Sequence, residues 1–350
     1  LSKLIETLQS HHAKNLPFVC YRKPHSTRVE GYFCNSDVLH TSESFTEQGF
    51  IFAPFDDREQ AIVFLASESE WMQEELQPEF LESTQELKVI PSNAAEHIRL
   101  VRKGVETIQQ ESFQKVVLSR KELVQLESVE IKEVFLRMLH YYTNAFVYVW
   151  FHPKVGLWFG ATPERLVSLK SNQFVTMALA GTQVFQGNEQ PDWGEKERQE
   201  HQYVVDYIVS QIQDPTNGII LEEFKVSETY TAKAGSLLHL KADIQGTIGD
   251  FNLKELLKTL HPTPAVCGLP KEEAKQFILE NENYQRSFYT GFLGEMNVNE
   301  KTELFVNLRC AELQDDKVVI YVGGGVTVDS DPQKEWEETF AKTQTIKKVL

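Results

Sequence analysis

Apolar positions recur at helical spacing near residues 1–12, 93–111, 131–142, 193–213, 252–260, 271–281 and 332–348, and this predicts an amphipathic helix at each. Between them run strand-like stretches: KVVLSRKELVQL (115–126), AFVYVWFH (145–152), FVTMALAGT (174–182), HLKADIQGTI (239–248), LFVNLRCAEL (304–313) and VVIYVGGG (318–325). Several strands follow one another with no helix between, which predicts an antiparallel α+β fold rather than a doubly wound parallel sheet. Residues 1–92 are less regular, with strand-like pieces such as PFVCYR and AIVFLA. No repeat, low-complexity tract or Gly/Pro/Ser linker divides the chain. Residues 1–350 are therefore expected to form a single domain, with the richer motifs lying in 93–350.

Composition narrows the partners. Hydrophobic residues make up 41% of the 350 and charged residues 25%, which supplies a sizeable core. A formal net charge of −16 argues against nucleic acid, whose phosphates need a basic surface, and against anionic membrane surfaces. Cys20, Cys34, Cys267 and Cys310 form no CxxC pair and are too few for a disulfide framework, so reduced thiols and a cytoplasmic location are expected. The longest apolar run, AFVYVWF, is strand-length, far short of the ~20 residues of a membrane helix. The chain begins at Leu1, as a trimmed start would.

The stretch YVGGGVTVDSDPQKEWEETFAK (321–342) carries the first candidate chemistry. Asp331 or Ser330 can cap the last helix, and Pro332 suits its first turn. Glu335, Glu338 and Lys342 then share one helix face. Two carboxylates one turn apart repel each other unless a cation intervenes, and Mg²⁺, which takes oxygen ligands and leans on one or two carboxylates, suits them. Gly323, Gly324 and Gly325 can bring bare backbone N–H groups to an anion. Taken alone, the same face also describes a solvated acidic helix with Glu338 paired to Lys342. A second pair, Glu197 and Glu200, lies one turn apart in GEKERQEHQYVVDYIV, whose Val204, Val205 and Ile208 pack on a core. Two such helices facing each other would hold one metal between them.

Other side chains invite both a chemical and a plain reading. Lys115 opens an apolar strand, where desolvation would make it a general base; a lysine snorkelling to water is the alternative. Glu164, in the Gly/Pro turn of GATPERL, would serve as a protonated general acid or pair with the adjacent Arg165. Arg309, in so apolar a strand, calls for a carboxylate partner. His239 in LLHLKA reads equally as a satisfied core histidine. In the Pro-rich turn HPTPAVCG (261–268), the small Ala265 leaves room for a neighbour.

Together KVVLSR, FGATPERLV, ALAGT, EKERQEHQYVVD, LLHLKADIQG, LHPTPAVCGLP, FYTGFLG, LFVNLRCAEL and the glycine–helix stretch resemble the chorismate-utilising enzymes. That family includes anthranilate synthase component I, aminodeoxychorismate synthase, salicylate synthase and isochorismate synthase. The segments run in family order from about residue 93 to the C-terminus, while the N-terminal third matches weakly. The resemblance implies a two-lobed sandwich of antiparallel sheets with helices packed outside and the active site in a cleft. It implies Mg²⁺ held by Glu200 and Glu338, with Glu197 and Glu335 close behind through water, the ion holding the ring carboxylate of chorismate. It implies that Arg309, Tyr289 and the amides of Gly323 and Gly325 receive the enolpyruvyl carboxylate. Gly181, Thr182 and His239 would line the ring, and Lys342 would balance charge near the metal. Gln183 departs from the family, where many relatives have Arg.

Within the family, Lys115 stands where isochorismate- and salicylate-forming members have a water-activating lysine, and Glu164 where the C4 hydroxyl is protonated as it leaves. Aminodeoxychorismate synthases also carry this lysine. Ala265, in the HPTPA wording typical of isochorismate synthases, points to a reaction that stops at isochorismate. Salicylate synthase and aminodeoxychorismate synthase component I are the alternatives. No glutaminase domain is fused to the chain, and a monomer acting without a glutaminase subunit is expected. The pathway served, menaquinone or a catechol siderophore, stays open.

Overall fold

A strand that is apolar at every position, rather than every second one, must be covered on both faces. The strand Phe146–His152 is buried at each of its residues, as are Phe18–Arg22 and Gly49–Ala53. The computed structural model describes residues 2–76, 87–90, 94–126, 129–235, 237–249 and 251–350. It meets that requirement with two antiparallel sheets of 10 strands each, in which Lys88–Ile90 of the first and Tyr230–Ala234 of the second pair to one side of the main run. The first runs, neighbour to neighbour, Gly268–Leu269, Lys115–Gln125, Lys317–Val326, Cys310–Gln314, Gly156–Thr162, Phe146–His152, Phe18–Arg22, Arg28–Cys34 and Ser69–Glu75. The second runs Leu221–Val226, Leu237–Ile248, Gln173–Val184, Arg165–Lys170, Lys301–Val306, Phe292–Val298, Gly49–Ala53, Ala61–Leu65 and Thr41–Ser42.

Inward-facing residues of both sheets meet in an aromatic core. Tyr21, Trp150 and Trp158 of the first sheet pack with Phe50, Phe52, Phe64 and Phe305 of the second. The rings of Phe64 and Trp150 stack at 5.1 Å, and those of Phe146 and Phe305 at 4.3 Å. The irregular N-terminal pieces thus resolve into strands that extend both sheets, so their side chains belong to the shared core.

Each predicted helix forms: α1 (Ser2–Ala13), α2 (Ala94–Gln109), α3 (Ile131–Tyr141), α4 (Glu195–Gln213), α5 (Leu253–Leu260), α6 (Lys271–Asn281) and α7 (Pro332–Lys347). Helices α1 and α3 cover the outer face of the first sheet, α4 and α5 that of the second. Helices α2 and α6 pack beside the Lys115 strand. Asp331 caps α7 by accepting from the Lys334 amide at 2.9 Å, while Ser330 turns to the Thr327 amide instead. One expectation is corrected. LFVNLRCAEL is two strands, Lys301–Val306 and Cys310–Gln314, one in each sheet, separated by Arg309 in the left-handed region at φ 48°. The chain changes sheet at this corner, and Arg309 is aimed into the space between them.

Candidate active site

That corner opens on a narrow cleft of about 80 Å³. The second sheet contributes Gly181, Thr182 and His239, and the first contributes Gly323, Gly324 and Gly325. Glu200 enters from α4, Glu338 and Lys342 from α7, and Glu164, Ala265, Tyr289 and Arg309 from the connecting segments.

The glycines are required by close approach. The Lys317–Val326 strand pairs with the Lys115–Gln125 strand, Gly325 opposite Val117, which carries Lys115 alongside it. A side chain at 325 would collide with Glu200 Oε1 and come within 3.1 Å of Lys115 Cε. One at 324 would lie 3.4 Å from Glu335 Oε2 and 3.7 Å from Glu338 Oε1. Three carboxylates from two helices therefore converge on two bare residues. Gly181 sits at φ +71°, and the backbone of Glu197 packs over it, with its Cβ 3.2 Å from where a side chain would begin.

Each of these carboxylates faces a lysine. Lys115 is fully buried, its Nζ 3.0 Å from Glu200 Oε1 yet without an aligned hydrogen bond. Burial would raise the Glu200 carboxyl, but Lys115 above all, then Lys342 and Lys196, hold it below the ordinary carboxylate value. Lys342 sits 2.6 Å from Glu338 and donates to the carbonyl of Gly323 at 2.9 Å. Glu335, only 3% exposed, takes an ion pair from Lys196; burial and the repulsion of Glu338 push its carboxyl up against that pull. Among the described residues no three carboxylates close into a ready coordination shell. The donor set still fits a hard cation, since Mg²⁺ commonly takes one or two carboxylates and completes its shell from water and substrate.

The cleft is also lined by a buried carboxyl, Glu164, and a guanidinium, Arg309. Burial raises Glu164 to about 8, a shift that Lys115 partly offsets, so the group carries its proton at neutral pH. Among the described residues no ion pair joins it to Arg165, which lies over the ring of Phe305. Arg309 likewise lacks the carboxylate partner its setting calls for among the described residues. It donates instead to His239 Nε2 at 3.3 Å and Thr345 Oγ1 at 3.4 Å. Burial, then Arg309, lowers His239 to about 3, so the ring is neutral, accepting at Nε2 and donating from Nδ1 to the Gly181 carbonyl at 2.9 Å. The Tyr289 hydroxyl comes close to Gly323 on the same wall, its ring stacked on Tyr321 at 5.6 Å. A guanidinium with only neutral hydrogen-bond partners, lining a cleft, has the chemistry to accept a carboxylate.

Residues 40–350 match the family of chorismate binding enzymes. The chain belongs to that family. It is similar to isochorismate synthase DhbC of Bacillus subtilis, 27% identical over 320 residues that span 85% of this chain and 79% of that protein. It is also similar to the salicylate biosynthesis isochorismate synthase of Pseudomonas aeruginosa, 30% identical over 71% of this chain and 53% of that one, so it spans about half that relative's length. The crystal structure of DhbC from Bacillus anthracis superposes with a TM-score of 0.83 at 26% identity, covering 99% of both chains. The two-lobed sheet sandwich with outer helices is thus the fold of a chorismate-binding enzyme.

Against that frame of chorismate-binding enzymes, most of the residues singled out in the sequence line the cleft itself. Lys115, Glu197 and Glu335 stand one layer behind it, touching groups that do. Gln183, the departure from the family, ties the rim by donating to the carbonyl of Asp192 at 3.0 Å. Lys196 escaped notice. Its spacing points to Glu200 four residues on, whereas the structure turns it across to Glu335 on α7. Only the placement of the first turn of α4 within side-chain reach of α7 could have disclosed that.

Proposed function

We propose that this chain is an isochorismate synthase, dependent on Mg²⁺, which adds water at ring C2 of chorismate and releases the C4 hydroxyl. The observation that carries the reading is a carboxyl raised to about 8 that lines the cleft, with the fully buried Lys115 close enough behind it to offset part of that shift. These are a base and an acid held ready for opposite ends of one displacement. Lys115 takes a proton from the attacking water, the new C–O bond forms at C2, and the ring double bonds shift. The C4 hydroxyl departs as water with the proton of Glu164, so product and substrate are isomers. The names of several relatives, isochorismate synthases, support the same assignment, although an anthranilate synthase component 1 of Aquifex aeolicus is also similar.

Glu200 and Glu338 would hold Mg²⁺, with Glu197 and Glu335 behind them, and the ion would supply positive charge for the ring carboxylate. Arg309, Tyr289 and the amides of Gly323 and Gly325 receive the enolpyruvyl carboxylate; Gly181, Thr182 and His239 shape the ring pocket. Lys342 keeps the metal side near neutrality, and Ala265 leaves the space in which the reaction ends at isochorismate. The enzyme works in the cytoplasm as a monomer, without a glutaminase subunit.

Purified protein given chorismate and Mg²⁺, with no ammonia or glutamine, is expected to form a product isomeric with chorismate, and to stop when EDTA is added. Salicylate with pyruvate would move the chain to the salicylate-forming branch. Turnover only with ammonia would move it to the aminating branch.

A further inference from the structure

Among the lysines of the cleft, Lys196 stands in an odd place. It lies in the first turn of α4, next to Gly194, which offers no side-chain cap, and a cation there opposes the helix dipole. A residue that runs against local preference at a functional site has a reason elsewhere in the fold. Here the reason is Glu335. The Lys196 ammonium pairs with that buried carboxylate, which is one of the three that face Gly324 and Gly325.

The three lysines differ in their freedom. Lys115 is enclosed, 0% exposed, and Lys342 is 13% exposed and pinned to the carbonyl of Gly323. Lys196 is 31% exposed along its side chain and has a path to water. A divalent ion drawn to these carboxylates must overcome a unit positive charge only a few ångströms away, and Lys196 is the one that can leave.

We infer that Lys196 is a built-in counter-ion of the metal site. It neutralises Glu335 while no metal is bound and competes with the divalent cation for that carboxylate. This rests on the reading of Glu200 and Glu338 as metal ligands. Lys196 is a positioning residue and makes no contact with the reacting atoms.

The test is calorimetric titration of Mg²⁺, and of Mn²⁺ as a second probe, into substrate-free wild-type protein and the variants Lys196→Met and Lys196→Gln. Removing a charge at this range should tighten the ion by about tenfold or more. It should also make thermal stability more dependent on added Mg²⁺ than in the wild type, because the buried Glu335 then lacks its partner. Unchanged or weaker metal binding by folded variants, while the wild type binds, would overturn the inference and make Lys196 a brace of α4 against α7. A wild type that binds neither ion would overturn the metal reading itself.

Discussion

At the scale of single residues, Glu164 shows how burial converts an ordinary carboxylate into an acid. Its folded pKa of about 8 lies above the 4.5 of the exposed group, so folded protein keeps a proton that the unfolded chain releases. The corresponding stability is present below pH 4.5 and is lost as pH rises toward 8. Between pH 4.5 and 7 that loss is on the order of 3 kcal/mol. Glu164→Gln should therefore unfold at higher denaturant concentration than wild type at pH 7, while losing turnover by about 10²–10⁴-fold. In the wild type, kcat/KM should fall above pH about 8 as the acid ionises. A variant no more stable than wild type at pH 7, or a rate flat to pH 9, would show that Glu164 carries no such proton. The sequence disclosed the residue through its turn between apolar strands. It did not disclose the choice between acid and ion pair, because that depends on where Arg165 points.

At the scale of elements, the site depends on one strand approaching two helices without side chains in the way. Arg120 on the Lys115 strand donates to Thr339 Oγ1 on α7 at 2.8 Å and lies over the ring of Trp336 at 4.2 Å. The same guanidinium donates to Glu122 at 3.0 Å, and Glu122 pairs with Lys347, so α7 is held against the strand along its length. With the register fixed, Gly325→Ala adds a methyl group at no backbone cost, and its only serious collision on the cleft side is with the Glu200 carboxylate. The Mg²⁺ concentration for half-maximal activity should rise at least about tenfold while the melting temperature changes little. An unchanged Mg²⁺ requirement would contradict the convergence on Gly325. Elements themselves were legible wherever periodicity ran long, hence every helix. LFVNLRCAEL misled because its apolar run continues through a sheet-changing corner, and one left-handed residue leaves no trace in hydrophobicity. Among the N-terminal strands, PFVCYR and AIVFLA were legible as apolar runs, whereas the mostly exposed Ser69–Glu75 offers no apolar run to mark it.

At the scale of the molecule, residues from both ends of the chain share one aromatic core, and this makes the sheets energetically inseparable. Trp150 is 0% exposed and contacts Phe52, Phe64 and Phe288 from outside its own strand. Trp150→Ala should cost about 3–5 kcal/mol and shift a single unfolding transition, seen alike by fluorescence and far-ultraviolet circular dichroism. Two transitions, only one of them shifted, would separate the lobes. The same global view accounts for the cations in the cleft. With a net charge of −16, the protein repels anions at a distance, so under the proposed function Arg309, Lys342 and a bound cation would have to supply the local attraction for a dicarboxylate.

The claim that joins these scales is that Lys115 delivers water to the ring. Turnover of unlabelled chorismate in ¹⁸O-enriched water measures this directly, with mass analysis of the product and its fragments. Isochorismate is expected to carry one ¹⁸O at the C2 hydroxyl. Isochorismate without the label would mean that the hydroxyl migrates within the substrate, and Lys115 would not be the base.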